Sequence, residues 1–199
     1  STKKFQYSEV VRGGRRERLL EPLDWLAAAG IVTINDLTCD NTAPLAPFND
    51  EEGSFFKVYV ADTGLMFFKF GIAPELFLDE GMRTSLASDF RGALAENYVM
   101  QALTANDVQT FYWMPNEKVG NGEVDFVFQN RFAEVVPVEV KSSRNVRAKS
   151  LHRFMVEGRS PFAIRLSELN FGIEPIAGTK AVLRSFPLYA AFCITADMK

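Results

Sequence analysis

Glu123-Val124-Asp125-Phe126-Val127-Phe128 and, a few residues on, Val136-Pro137-Val138-Glu139-Val140-Lys141 decide how this chain is read. Strand alternation puts Val124, Phe126 and Phe128 on one face and Asp125 on the other. In the second stretch the valines share one face, and Pro137, Glu139 and Lys141 share the opposite one. The gap between the stretches is short and centred on Phe132, so the two are expected to form an antiparallel hairpin. Asp125 and Glu139 are equidistant from Phe132 and would lie directly across from each other, with Cβ atoms about 4.5–5.5 Å apart. Two carboxylates that close repel unless a cation sits between them or one takes up a proton. Lys141 follows two residues on, on the same face.

Outward from this hairpin the pattern is α-β-β-β-α-β. Leu86 to Leu103 reads as a helix, Gln109 to Trp113 as a strand, and Asn121-Gly122 as a turn. Glu123 to Gln129 and Ala133 to Val140 are the hairpin strands, Ala148 to Val156 is a helix and Phe162 to Leu166 a further strand. Upstream, Arg15 to Ala29 reads as a helix stopped by Gly30, with Pro22 as an awkward interruption. Ile31 to Ile34 is a short strand, Asp40 to Gly53 a loop and Phe55 to Val60 a second strand. Helix, strand, loop, strand is the outline of a winged helix. Asp50, Glu51 and Glu52 in its wing would repel phosphates, which favours a structural or protein-docking role over DNA reading. Gly71, Pro74 and Gly81 punctuate the pattern between Phe70 and Thr84. The expected organisation is therefore α/β (α+β): a small winged-helix-like module over residues 1–75, then a core over 76–199 with a mixed central sheet.

Composition excludes several classes. The 199 residues carry a net charge of −3, and apolar residues make up 47%, enough for a packed core. One histidine, His152, and two cysteines, Cys39 and Cys193, cannot assemble a His/Cys zinc site. Two cysteines in a chain this long point to a reducing compartment, and a cytoplasmic location is expected. A Ser-His-Asp site would have to use His152, which has basic neighbours and no glycine-rich nucleophile elbow. The chain opens on Ser1 with no apolar leader after it, and reads as an excised piece. Its longest apolar candidate, Phe186 to Ile194, is about half a membrane span and is expected in the core.

The hairpin residues make a workable kit for phosphodiester cleavage. Asp125 and Glu139 would hold Mg²⁺ or Mn²⁺, a hard cation that takes a few carboxylates, waters and phosphate oxygens. The metal would activate a water and offset transition-state charge. Lys141 would orient that water or stabilise developing negative charge. Glu96, on the preceding helix, would add a third carboxylate to the metal or its surroundings. Between Lys141 and Arg165 seven cations stand against the single acid Glu157. Among them Arg144, Arg147, Lys149 and Arg153 are the candidates for holding a nucleic-acid backbone.

These residues also match a known pattern. Gly92-Ala93-Leu94-Ala95-Glu96-Asn97-Tyr98-Val99, then Gly122-Glu123-Val124-Asp125-Phe126, then Val138-Glu139-Val140-Lys141-Ser142-Ser143 resemble the PD-(D/E)XK nuclease-like superfamily. More narrowly, the chain looks like the uncharacterised C-terminal domain that follows an AAA+ ATPase module in many prokaryotic proteins. Further matches are Lys57 through Leu65, Arg165-Leu166-Ser167 and Pro187-Leu188-Tyr189. The resemblance implies a winged helix followed by a restriction-endonuclease-like core. It makes Asp125 and Glu139 the metal-binding acids, Lys141 the catalytic lysine and Glu96 the first-helix acid. It also implies an ATPase module in cis, outside this chain. The run Gly172 to Lys180 is no P-loop, being one residue too long with Thr179 before Lys180, so ATP would act only through that missing module. The competing expectation is a catalytically inactive DNA- or protein-binding module that regulates the ATPase. A winged-helix transcription regulator ranks third. No membrane is expected, and homo-oligomerisation is compatible with the pattern.

The remaining candidates have plainer expectations. Trp25 and Trp113 are expected in the core, His152 on the surface, and both cysteines inert. Phe67, Phe68 and Phe70 are expected to pack between the two modules.

Overall fold

The computed structural model describes residues 10, 15–50, 53–79, 81, 86–115, 122–143 and 149–195. Its elements run α1 (Arg16–Ala28), β1 (Val32–Thr38), β2 (Asn49–Asp50), β3 (Gly53–Ser54), β4 (Phe56–Val60), α2 (Thr63–Phe70) and α3 (Ser88–Ala105). Then follow β5 (Thr110–Trp113), β6 (Val124–Gln129), β7 (Val135–Val140), α4 (Lys149–Glu157), β8 (Phe162–Ser167), β9 (Gly172–Pro175) and β10 (Val182–Pro187). Short 3-10 turns span Pro74–Phe77 and Leu188–Cys193.

The expected hairpin is present. β6 and β7 pair antiparallel from Phe126↔Val138 to Gln129↔Val135, symmetric about Phe132. Its turn is set by Asn130, whose Oδ1 accepts from the N–H groups of Phe132 (3.0 Å) and Glu134 (2.9 Å). An Asx side chain that satisfies two turn amides fixes the turn, and the turn fixes the register.

The hairpin sits in one mixed sheet of eight strands, in the order β4-β1-β5-β6-β7-β8-β10-β9. β1 runs parallel to β5, and β7, β8 and β10 run parallel to one another. Every residue of β7 and β8 is buried, as strands covered on both faces must be. On one face, α3 lays Ala95, Val99, Met100 and Leu103 against Phe126, Phe128, Val138 and Leu166. On the other, α4 lays Leu151, Phe154 and Met155 against Trp113, Val124, Val127 and Ala163. The chain is thus a mixed α/β (α+β) structure with helices on both faces of the sheet.

Two expectations are corrected here. The strands expected in a separate winged-helix module, β1 and β4, are instead the edge of the common sheet, because β1 finds its second partner in β5. The smooth alternation expected for β6 is broken by a bulge. Phe111 pairs with Val127 and Trp113 with Val124, so three steps on β6 oppose two on β5. Val124 therefore joins Val127 on the α4 side, while Phe126 and Phe128 face α3. Bulges of this kind re-aim side chains near sites, and Asp125 lies inside this one.

The edge strands are tied down by polar groups on α3. The buried Asn97 amide grips both backbone groups of Val60: its Nδ2 donates to the carbonyl and its Oδ1 accepts from the N–H, each at 2.9 Å. One helical turn on, Gln101 Oε1 accepts from the N–H of Thr63 (3.1 Å). Asp62 caps α2 through the N–H of Gly64, and Gly71 ends it in the left-handed region with φ 62°.

Trp113 is in the core as expected, but Trp25 is 71% exposed, because among its described residues α1 buries Leu23 alone. Phe67 and Phe70 set their rings edge-on to Phe90, whereas Phe68 is 85% exposed and packs nothing together. Of the segment from Phe186 to Ile194, Ala190, Ala191 and Ile194 are buried while Tyr189 and Phe192 are exposed. No helix among the described residues is long and apolar enough to cross a membrane.

Candidate functional site

The strand directions bring the charged residues to one end of the sheet. β7 ends there with Glu139 and Val140, β6 starts there with Asp125, and β4 starts there with Lys57 next to Phe56. Asp125 and Glu139 are both buried, at 8% and 4% exposure. Oδ2 of Asp125 accepts from the N–H of Val140 at 2.6 Å, which seats its carboxylate against the strand that carries Glu139. Burial pushes the Asp125 carboxyl well above its usual range. Glu139 and then Glu96 push it the same way, against Lys57 and the Val140 N–H. Glu139 is raised as well, chiefly by burial, although Lys141 opposes this. Lys141 donates to Oε1 of Glu139. Burial works against the Lys141 ammonium, but Glu139 and Asp125 outweigh it and keep it charged. The second oxygen of Glu139, Oε2, is buried with no hydrogen-bond partner among the described residues.

A second charged centre lies beside the first. Lys57 Nζ donates to Glu96 (3.4 Å) and to Glu123, and sits 5.3 Å from the centre of the Tyr112 ring. The Tyr59 hydroxyl donates to the same Glu96 oxygen at 3.2 Å. Burial disfavours the Lys57 ammonium, yet Tyr59, Glu96, Glu123 and Asp125 together raise it above its ordinary value. Burial raises the Tyr59 phenol strongly, so it stays a donor.

Of the expected site residues, Asp125, Glu139 and Lys141 come together. Glu96 is near enough to act on them electrostatically, but its hydrogen bonds go to Lys57 and Tyr59. Among the described residues no group of three or more His, Cys, Asp or Glu side chains is arranged to hold a metal ion. The fit to a divalent cation therefore rests on the Asp125–Glu139 pair. Two carboxylates suffice for Mg²⁺, which keeps several waters and shares its remaining positions with phosphate oxygens. Glu139 Oε2 is an available donor atom, and Glu123 Oε2 beside Lys57 is buried without a partner among the described residues in the same way. With all four carboxyl groups ionised, four carboxylates against two ammonium groups would leave two negative charges for a divalent cation to offset. The residues fit the group on both counts. Several kcal/mol of desolvation per buried charge are offset by packing on both faces. Phe126, Phe128 and Phe154 alone each contribute about 1.5–3 kcal/mol.

Lys57, Tyr59 and Glu123 were not singled out by sequence reasoning. The available signal was Lys57 itself, a charge inside the apolar run Phe55-Phe56-Lys57-Val58-Tyr59-Val60. The basic segment needs correction as a single polyanion-binding face. Arg165 is buried, donating to Ser185 (2.8 Å) and pairing with Glu174 (3.0 Å). Arg153 pairs with Glu157 at 2.8 Å, one turn along α4. Lys149 is exposed, and Arg144 and Arg147 lie outside the described residues. His152 is exposed as expected, with Nε2 2.9 Å from the Ala177 carbonyl oxygen. Cys39 and Cys193 are free thiols.

At the carboxyl ends of β7, β8 and β10 lies a cleft of about 650 Å³. Its lining includes Arg91, Leu94 and Tyr98 of α3, Ser142, Ser167, and Pro187 through Tyr189. Crevices at the carboxyl ends of strands are where open α/β sheets bind ligands. Ser142 follows Lys141 in the chain, and Ala95, also in the lining, precedes Glu96, so the cleft adjoins the carboxylates.

Residues 91–167 match a family model described as Domain of unknown function (DUF4143). The matched stretch runs from Arg91 in the cleft to Ser167 and includes Glu96, Asp125, Glu139 and Lys141, while Lys57 and Tyr59 precede it. No curated protein and no solved structure matches the chain.

Proposed function

We propose that this chain is a divalent-metal-dependent nuclease domain that hydrolyses nucleic-acid phosphodiester bonds. The observation that carries the reading is the buried Asp125–Glu139 pair, with one carboxylate oxygen unpartnered among the described residues and Lys141 held beside it. Asp125 and Glu139 would hold Mg²⁺ or Mn²⁺. When bound, the ion lowers the pKa of water and offsets negative charge on the phosphate. The chain's own groups do the rest. The Val140 N–H and the bulge in β6 fix the Asp125 carboxylate. Glu139 holds the Lys141 ammonium where it can orient an attacking water or stabilise charge on a phosphate oxygen. Lys57 and Tyr59 hold Glu96 back from the pair. Resemblance to the PD-(D/E)XK superfamily supports the same assignment. With it come an AAA+ ATPase module in cis and a cytoplasmic location.

One observation favours a second reading, a catalytically inactive DNA- or protein-binding module serving that ATPase. Lys57 already bridges Glu96 and Glu123 internally and offsets one of their two charges. A cleavage assay separates the two. Single-stranded and duplex DNA and RNA are incubated with the chain in Mg²⁺, Mn²⁺ or EDTA. The nuclease reading expects metal-dependent cleavage of at least one substrate, lowered at least about a hundredfold in Lys141→Met. Equal traces in metal and EDTA, or cleavage unchanged in Lys141→Met, contradict it.

A further inference from the structure

The chemistry proposed above leaves the cleft beside the carboxylates without a role. At about 650 Å³ it is in the size range of ligand sites. Three aromatic residues line it: Phe67 of α2, Tyr98 of α3 and Tyr189 after β10. Two of the rings are anchored. Phe67 lies edge-on to Phe90, and the Tyr98 hydroxyl donates to the Tyr189 carbonyl at 3.4 Å, joining two walls. Arg91 adds a cation whose Nε is buried without a hydrogen-bond partner among the described residues. Ser142 and Ser167 add hydroxyls that both donate and accept.

We infer that this cleft takes one unpaired nucleobase of a single-stranded nucleic-acid segment, next to the phosphate presented to Asp125, Glu139 and Lys141. Rings together with a cation are the chemistry that holds single-stranded bases, since every base has a π-face and every nucleotide a phosphate. A base inside a duplex cannot enter a concave cleft without leaving its stack, which costs unpairing energy. The cleft therefore selects strands whose bases are already free. The location is continuous with the charged centre, because Ser142 follows Lys141 and Ala95 precedes Glu96. The inference rests on the nuclease reading for which phosphate is presented, but base binding itself needs no metal and no cleavage.

The test is made in EDTA with the full chain. A short single-stranded DNA carrying one 2-aminopurine is titrated, beside the same strand annealed to its complement. The expected result is a change in 2-aminopurine emission and binding at least about tenfold tighter than to the duplex. Tyr98→Ala should remove the emission change and weaken single-strand binding about tenfold, and Tyr98→Phe, which keeps the ring, should restore both. Arg91→Gln should weaken binding and flatten its salt dependence by about one unit of slope. Equal affinity for strand and duplex, no binding of either, or a folded Tyr98→Ala that binds like wild type would each overturn the inference. If Tyr98→Ala does not fold, Arg91→Gln and the duplex arm still decide. Single-strand binding without any cleavage in Mg²⁺ would sink the nuclease reading and leave the cleft standing. Cleavage by a folded Tyr98→Ala that keeps the wild-type preference for strand over duplex would do the reverse.

Discussion

Two charged centres lie side by side at one end of this sheet, and they are finished differently. In one, Lys57 is shared between Glu96 and Glu123, Tyr59 adds a hydroxyl bond, and the Tyr112 ring covers the ammonium. In the other, Asp125 and Glu139 stand close, Lys141 binds Glu139, and Asp125 takes the Val140 N–H. Each centre keeps one buried carboxylate oxygen, Glu123 Oε2 and Glu139 Oε2, without a hydrogen-bond partner among the described residues. The first centre is built like an internal brace. The second stores repulsion that a cation would relieve. A buried charge left unpaired costs several kcal/mol, and the proposed metal would offset that cost at Asp125 and Glu139, whose carboxyl groups are both raised above their usual range.

The largest effect expected from breaking this comparison is at the brace. Lys57→Met leaves Glu96 and Glu123 without their cation, and should lower unfolding free energy by about 3 kcal/mol in urea denaturation, as breaking buried pairs does. An effect below about 1 kcal/mol would mean that the Lys57 centre is a solvated surface pair. Next comes pH. Asp125 and Glu139 have folded-state pKa values above their ordinary range. Their contribution to stability is therefore fully present below that range, and is lost as pH rises through the folded values. Metal-free protein should lose stability from these two groups as pH rises above the ordinary carboxylate range. Saturating Mg²⁺, which needs both carboxylates ionised, should restore it increasingly at the upper end. A metal-free wild-type profile that instead climbs over this window, or an Asp125→Asn profile that falls as steeply as wild type, would contradict the sign.

Smaller is Asp125→Asn itself. The amide keeps an oxygen for the Val140 N–H but removes the like charge. The metal-free variant should be more stable than wild type by about 1 kcal/mol at pH 7. Destabilisation there would mean that Asp125 is satisfied as an ion. The smallest effect belongs to Trp25→Ser, on the exposed face of α1, expected within about 0.5 kcal/mol of wild type. A loss of 2 kcal/mol or more would show that α1 packs through that ring.

What could be read from the sequence follows the range over which the forces act. The hairpin was legible because its turn is local. Asn130 satisfies its own neighbours, so symmetry about Phe132 predicts the register found. The order α-β-β-β-α-β was legible from periodicity for the same reason. The bulge was not, because it depends on how β5 meets β6. Nor was the placement of β1, whose parallel partner β5 lies some seventy residues on and leaves no local mark. β9 and β10 passed unread, β9 being fully exposed and hence without alternation. In the site, Asp125, Glu139 and Lys141 were legible because one hairpin carries all three. Lys57 meets Glu123 across 66 residues, and only the folded sheet brings them together. The exposed Trp25 illustrates the converse, an apolar residue that suggested a core position its helix does not provide.

The most direct test of the account is a calorimetric titration of Mn²⁺ into the wild-type chain and into Asp125→Ala/Glu139→Ala, with the folded state of both checked by circular dichroism. The account predicts binding in wild type that disappears in the double variant. Equal heats in the two proteins, or no heat in either at millimolar metal, would contradict it and leave the second centre, like the first, a structural one.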